Sequence, residues 1–159
     1  MTPQEIFEHL KSKFGDSIQE LKTDKPVDPF IIVSADKIDE ISLYLRDFED
    51  FQFDELMLLS GVDYADGNLG VTYHLYSFPL HHKIVLKVIV PKDTPNVKTV
   101  SEVWQTANWH EREAYDMIGI IFDGHKYLKR ILLEDDWVGY PLRKDFEVPE
   151  FYRGMKVPY

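Results

Sequence analysis

Several residue types and patterns are missing from this chain, and each absence removes a class of function. There is no cysteine among the 159 residues. That excludes disulfides, a thiol nucleophile, thiolate-bound zinc and any iron–sulfur cluster held by the chain's own sulfurs. It also excludes a small secreted fold stapled by disulfides. Basic charge is in deficit, with 18 Lys and Arg against 28 Asp and Glu and a formal net charge of −10. A phosphate-binding surface needs the opposite surplus, so no nucleic-acid partner is expected. Nor is there a polybasic patch to hold the chain on anionic lipid. Apolar runs such as Ile84 to Val90, interrupted by Lys87, are far shorter than a membrane span. Met1-Thr2-Pro3-Gln4-Glu5 carries neither the basic nor the apolar region of a signal peptide. A soluble chain made in the cytoplasm is expected, with no direct membrane insertion and any membrane association supplied by partners. A glycine-rich phosphate loop and a G-x-S-x-G nucleophile elbow are absent as well.

What is present suits one packed domain, 44% hydrophobic and 14% aromatic. Thr2, Pro3 and Glu5 form a capping-box pattern, and Ile6, Phe7, Leu10 and Phe14 a helical stripe that Gly15 stops. Ser17 to Leu21 and Phe30 to Val33 read as strands around a turn at Lys25-Pro26-Val27-Asp28-Pro29. Ser34 is placed to cap a second helix with Ile38, Ile41, Leu45 and Phe48 on one face. Three strands follow, about Phe53 to Val62, Leu69 to Phe78 and Lys83 to Val90, joined by turns at Asp66-Gly67-Asn68 and Pro79 to His82. Val71, Tyr73 and Leu75 alternate with Thr72, His74 and Tyr76, as in a sheet covered on one face, and the third strand is apolar enough to be central. Pro91 to Asn96 reads as a loop. Thr99 with Glu102 predicts a cap on a short helix bearing Val100, Val103 and Trp104, and Asn108 with Glu111 predicts another cap. The fold class is α+β, an antiparallel-dominated mixed sheet flanked by helices, with an extended irregular C-terminal arm.

The densest chemistry runs from Asn108 to Asp145. On a helical wheel Glu111 shares an arc with Ala114, Tyr115, Met117 and Ile118, whereas Trp109, Arg112, Glu113 and Asp116 take the other side, with Arg112 and Asp116 paired at i,i+4. Glu111 therefore either caps the helix or is a partly buried carboxylate for which Lys129 or Arg130 supplies the cation. A structural role outweighs an acid–base one, since buried ion networks also arise without catalysis. Glu111 and Glu113 point roughly 160° apart on a helix and cannot flank one bond. His110-Glu111 opens like a zinc-protease motif, but Ala114 stands where the second His belongs, and the other histidines show no ligand spacing. Ile131 to Leu133 reads as a short strand. Beyond it Trp137, Tyr140, Phe146, Phe151, Tyr152 and Tyr159 are interleaved with Pro141, Pro149 and Pro158. So long an irregular segment, too aromatic for disorder, reads as an arm lying on another protein. The division is a domain over 1–133 and a docking arm over 134–159. From the residues alone the rival reading is an independent acid–base or metal enzyme using Glu111, His110 and nearby histidines.

Trp109-His110-Glu111-Arg112-Glu113-Ala114-Tyr115-Asp116-Met117, then His125, Lys129-Arg130-Ile131-Leu132 and Pro141-Leu142-Arg143-Lys144-Asp145-Phe146 closely resemble the signature of one family. It is the C, or 30 kDa, subunit family of proton-pumping NADH:quinone oxidoreductase, respiratory complex I. The resemblance implies a non-catalytic assembly subunit in the hydrophilic arm, peripheral on the cytoplasmic face of the inner membrane. It implies no catalytic, metal or cofactor site in this chain, with FMN, iron–sulfur clusters and quinone carried by partner subunits. Glu111, Arg112, Glu113, Asp116, Lys129 and Arg130 are then structural signature residues. Trp137, Tyr140, Pro141, Leu142, Arg143, Lys144, Asp145 and Phe146 would meet the large quinone-site subunit (D, 49 kDa), with Arg143, Lys144 and Asp145 pairing with its charges. Short members also occur in ferredoxin-, F420- and hydrogenase-linked relatives, so the resemblance leaves the electron donor open.

Overall fold

The structure is a computed structural model that describes residues 1–24 and 28–157. The chain opens with α1 (Pro3–Phe14), whose capping box forms as expected: Thr2 accepts from the Glu5 amide and Glu5 accepts from the Thr2 amide. Its Ile6 and Leu10 are wholly buried, each worth about 1.5–3 kcal/mol of apolar transfer. A single 3-10 turn (Gly15–Ser17) leads into β1 (Ile18–Lys22), and β2 (Phe30–Val33) pairs antiparallel with it. Of the turn expected at Lys25-Pro26-Val27-Asp28-Pro29, residues 25–27 lie outside the described residues.

Ser34 does not cap the next helix. Its hydroxyl bonds the Asp36 carboxylate instead, and residues 35–37 turn before α2 (Ile38–Asp47) begins without a side-chain cap. The stripe itself is as expected, with Ile38, Ile41 and Leu45 buried. β3 (Glu55–Asp63), β4 (Asn68–Ser77) and β5 (His82–Pro91) form an antiparallel meander. The five-stranded sheet has the order β1-β2-β5-β4-β3, and β2 lies parallel to the central β5, with Phe30 opposite Val85.

One face of this sheet, carrying Val71, Tyr73, Leu75, Leu86 and Val88, forms the core with the apolar stripes of the helices. The other face is open around Phe30, Thr72, His74 and Lys87. The loop expected after β5 forms over residues 92–95, and at its end lies β6 (Asn96–Lys98), which pairs parallel with β7 (Ile121–Asp123). Between them lies α3 (Ala107–Ile118), packed on the edge strand β3 so closely that a Cβ at Gly61 would meet Ala114, Ile118 and Ile120 at 3.2–3.3 Å. Phe122 is the last fully buried residue: from 123 to 157 every described residue is half-buried or exposed, although the ring of His125 is itself enclosed. The only regular structure beyond β7 among the described residues is a tiny hairpin, β8 (Phe151–Tyr152) with β9 (Met155–Lys156). No helix among the described residues is long and apolar enough to cross a membrane.

Candidate functional site

α3 and the segment behind it bring most of the singled-out residues together. Glu111 lies in the buried arc and has no solvent exposure. It does not close a capping box with Asn108, because the helix already starts at Ala107 and its N-cap, Thr106, makes no side-chain bond. The Glu111 carboxylate instead ties down the preceding loop. Thr99 Oγ1 donates to Oε2 at 2.5 Å, and the Val100 amide donates to Oε1 at 2.7 Å. The Thr99 oxygen accepts from the Ser101 amide at 3.2 Å and not from that of Glu102, so no capping box forms there. Residues 101–103 form a turn where a helix is expected, although Val100 and Trp104 are buried as core residues.

Neither Lys129 nor Arg130 supplies Glu111 with a cation. The basic side chain beside it is His125, with Nε2 3.9 Å from Oε2. His125 Nδ1 accepts from the Tyr127 amide at 3.1 Å and Nε2 faces the Asn108 carbonyl at 3.2 Å. Those two contacts fit a neutral ring with its proton on Nε2. Burial without a paired cation pushes the Glu111 carboxyl up to about 7, against the opposing pull of the Thr99 and Val100 hydrogen bonds. The buried Tyr73 hydroxyl, which has no hydrogen-bond partner, is pushed well up by its own burial and by the charge of Glu111. Wholly enclosed, Glu111 cannot touch a ligand without opening the fold. His110 and Glu113 lie elsewhere, along a groove with Leu58, Gly61, Met117 and Leu142. Among the described residues no group of three or more His, Asp or Glu side chains is arranged to hold a metal.

Asp116 departs most from the wheel, which sets it on the outward side paired with Arg112. It is wholly buried, because the chain after β7 folds over it. Arg130 Nη1 donates to Asp116 Oδ1 at 2.8 Å. The amides of Ile131, Leu132 and Leu133 all donate to Oδ2, at 3.0, 2.7 and 3.0 Å. Three successive amides aimed at one oxygen leave nothing for a ladder, so the expected strand over these residues does not form. Burial alone would raise the Asp116 carboxyl, but the three amides and Arg130 outweigh it and hold it below its ordinary value. Arg112 turns to the carbonyls of Lys129 and Arg130, at 3.1 and 3.4 Å.

Past this clasp the arm first follows its own chain. Gly119 ends α3 in the left-handed region (φ 81°), and a Cβ there would lie 2.5 Å from the Tyr140 ring and 2.8 Å from Arg143 Nη2. Arg143 Nε donates to the Ile118 carbonyl at 2.6 Å, and its guanidinium lies over Tyr140 at 4.5 Å. The Lys144 amide donates to Asp63 at 2.9 Å, and Lys92 bridges Asp63 and Asp145 at 3.3 and 2.8 Å. The Lys144 amide, then that of Ala65, holds the Asp63 carboxyl below its ordinary value. Arg143 and Asp145, expected to pair with a partner's charges, are therefore already engaged within the chain. Trp137, Tyr140, Pro141 and Phe146 are half-buried, while Leu142 and Lys144 are exposed. Trp137 packs on Tyr152 with ring centres 5.1 Å apart, and its buried indole nitrogen has no partner. Val138, Leu142, Val148, Phe151 and Met155 remain more than half exposed.

Asp63 and Lys92 carry no signal in the sequence. Their partners in the arm lie far along the chain, 81 residues away for Asp63 and Lys144, and no local spacing betrays them. Gly119 is equally silent, because the Tyr140 ring that crowds it arrives from a later segment.

Residues 31–152 match the family described as respiratory-chain NADH dehydrogenase, 30 Kd subunit. The chain is 48% identical over 151 residues to the C subunit of NADH-quinone oxidoreductase from Chloroherpeton thalassium, covering 94% of this chain and 63% of that one. It is 39% identical over 149 residues to the C subunit of F(420)H(2) dehydrogenase from Methanosarcina mazei, covering 92% and 93%. The solved structure of a trypsin-resistant fragment (1-134) of Nqo5 superposes with a TM-score of 0.65 at 24% identity, over 80% of this chain and all of that one. This last likeness shows a shared fold.

Proposed function

Because the chain belongs to the respiratory-chain NADH dehydrogenase 30 kDa subunit family, we propose that it is a non-catalytic structural subunit of a quinone-reducing oxidoreductase complex. It sits peripherally in the hydrophilic arm, on the cytoplasmic face of the membrane, and its C-terminal segment lies along the large quinone-site subunit. FMN, iron–sulfur clusters and quinone belong to partner subunits. The observation that carries this reading is the segment 134–157. It holds its shape without one fully buried residue while presenting Val138, Leu142, Val148, Phe151 and Met155 to solvent. Exposed apolar side chains on a clasped, aromatic arm are what a protein interface uses.

The test is truncation after Leu133, with the tagged chain purified from detergent-solubilised membranes. The shortened chain should remain folded and lose the large subunit; retention of that subunit at the full-length level defeats the proposal. The second reading is the equivalent subunit of an F420H2-linked complex, favoured by the 39% identity to the Methanosarcina mazei protein. Oxidation of NADH or of reduced F420 by the purified complex decides between the donors.

A further inference from the structure

The arm is not the only exposed aromatic surface. On the outward side of α3, Trp109 and Tyr127 are 63% and 54% exposed, and the Arg112 guanidinium lies between their rings, 5.0 and 5.2 Å from the two centres. Lys129 Nζ stands 4.7 Å from the centre of the Tyr127 ring. Arg112 is held in place by the carbonyls of Lys129 and Arg130, which leaves Nη1 without an acceptor among the described residues. Neither Arg112 nor Lys129 forms an ion pair among those residues, whereas neighbouring Lys126 is taken by Glu102 at 2.8 Å. What sets these two cations apart is that both stand against the same exposed Tyr127 ring.

We propose that Trp109, Arg112, Tyr127 and Lys129 form a second docking surface, which receives a carboxylate-bearing segment of another protein subunit. Charge complementarity selects this occupant. The two cations and the aromatic faces suit an Asp or Glu side chain flanked by apolar groups, and trapping Arg112 between rings removes much of the entropy cost of engaging it. Trp, Tyr and Arg are also the residue types that dominate interface energies. A nucleic-acid phosphate is a poor alternative, because the remaining surface of this acidic chain would repel it. The surface rests on the proposed role as a subunit, but not on the arm.

The experiment compares the isolated full-length chain with the chain in its purified complex. N-Bromosuccinimide oxidation of Trp109, followed by mass spectrometry, should be several-fold slower in the complex, with buried Trp104 as the internal reference. A water-soluble carbodiimide, which joins amines to carboxylates only at contact, should couple Lys129 to an Asp or Glu of a different subunit. Lys129→Gln should abolish that product without changing the melting temperature of the isolated chain. Equal reactivity of Trp109 in both states, with Lys129 uncoupled, overturns the surface and leaves the arm proposal intact. Coupling to a second copy of this chain overturns the choice of occupant. A chain that purifies with no other subunit defeats the subunit role and this surface with it.

Discussion

At the scale of single residues, Glu111 makes the clearest solution prediction. Its carboxyl titrates near 7 in the folded chain, against about 4.3 for an unfolded glutamate. Between those values the folded state binds more protons than the unfolded state, so stability falls as pH rises through the window and levels off above it. The loss from this one group is about 3–4 kcal/mol. Glu111→Gln keeps the shape: the amide oxygen accepts from Val100, and the amide nitrogen donates to a reoriented Thr99 hydroxyl. The variant should lack this pH slope and exceed the parent in stability above pH 7. Urea midpoints of the two proteins from pH 4.5 to 8 check this, and parallel curves would contradict it. Arg143 makes a second case. Because it holds the Ile118 carbonyl and the Tyr140 ring, Arg143→Glu should destabilise the isolated chain by about 1–2 kcal/mol. A thermal melt unchanged by the reversal would show the side chain to be free in solution.

Among the elements, the joint between α3 and the arm depends on Gly119. A methyl group there meets both a positive φ and the Tyr140–Arg143 pair, so Gly119→Ala should cost about 1–3 kcal/mol. It should also speed amide exchange across residues 140–144 while leaving β4 and β5 protected. Uniform exchange changes, or none, would mean the arm is not seated on this turn. The same scale shows what local sequence can reveal. The capping box of α1 is legible because donor and acceptor lie three residues apart with no competitor. Thr99 and Glu102 show the same spacing, yet the Thr99 oxygen accepts from Ser101 while its proton goes to Glu111, twelve residues away. Likewise the wheel turns Asp116 outward because a single helix cannot show that Arg130 and three amides will fold over it. The meander and its central strand can be read from alternation and turns. The parallel neighbours β2–β5 and β6–β7 cannot, since no turn connects them.

For the whole molecule, the contrast lies between a core complete by Phe122 and an arm fixed by polar contacts. Removing residues beyond Leu133 deletes the Arg143, Lys144 and Asp145 contacts and should cost the isolated chain about 1–3 kcal/mol. The urea m-value should change little, because no fully buried residue is lost. A large fall in m would show that the arm belongs to the cooperative core.

The place of β2 also has a temporal consequence. Phe30 completes its pairing only with Val85, so during synthesis the first hairpin must wait, with one edge open, until β5 has left the ribosome. A sheet closed by such distant partners falls among the slower single-domain folders. In that interval the hairpin edge is the part of the nascent chain most in need of shelter.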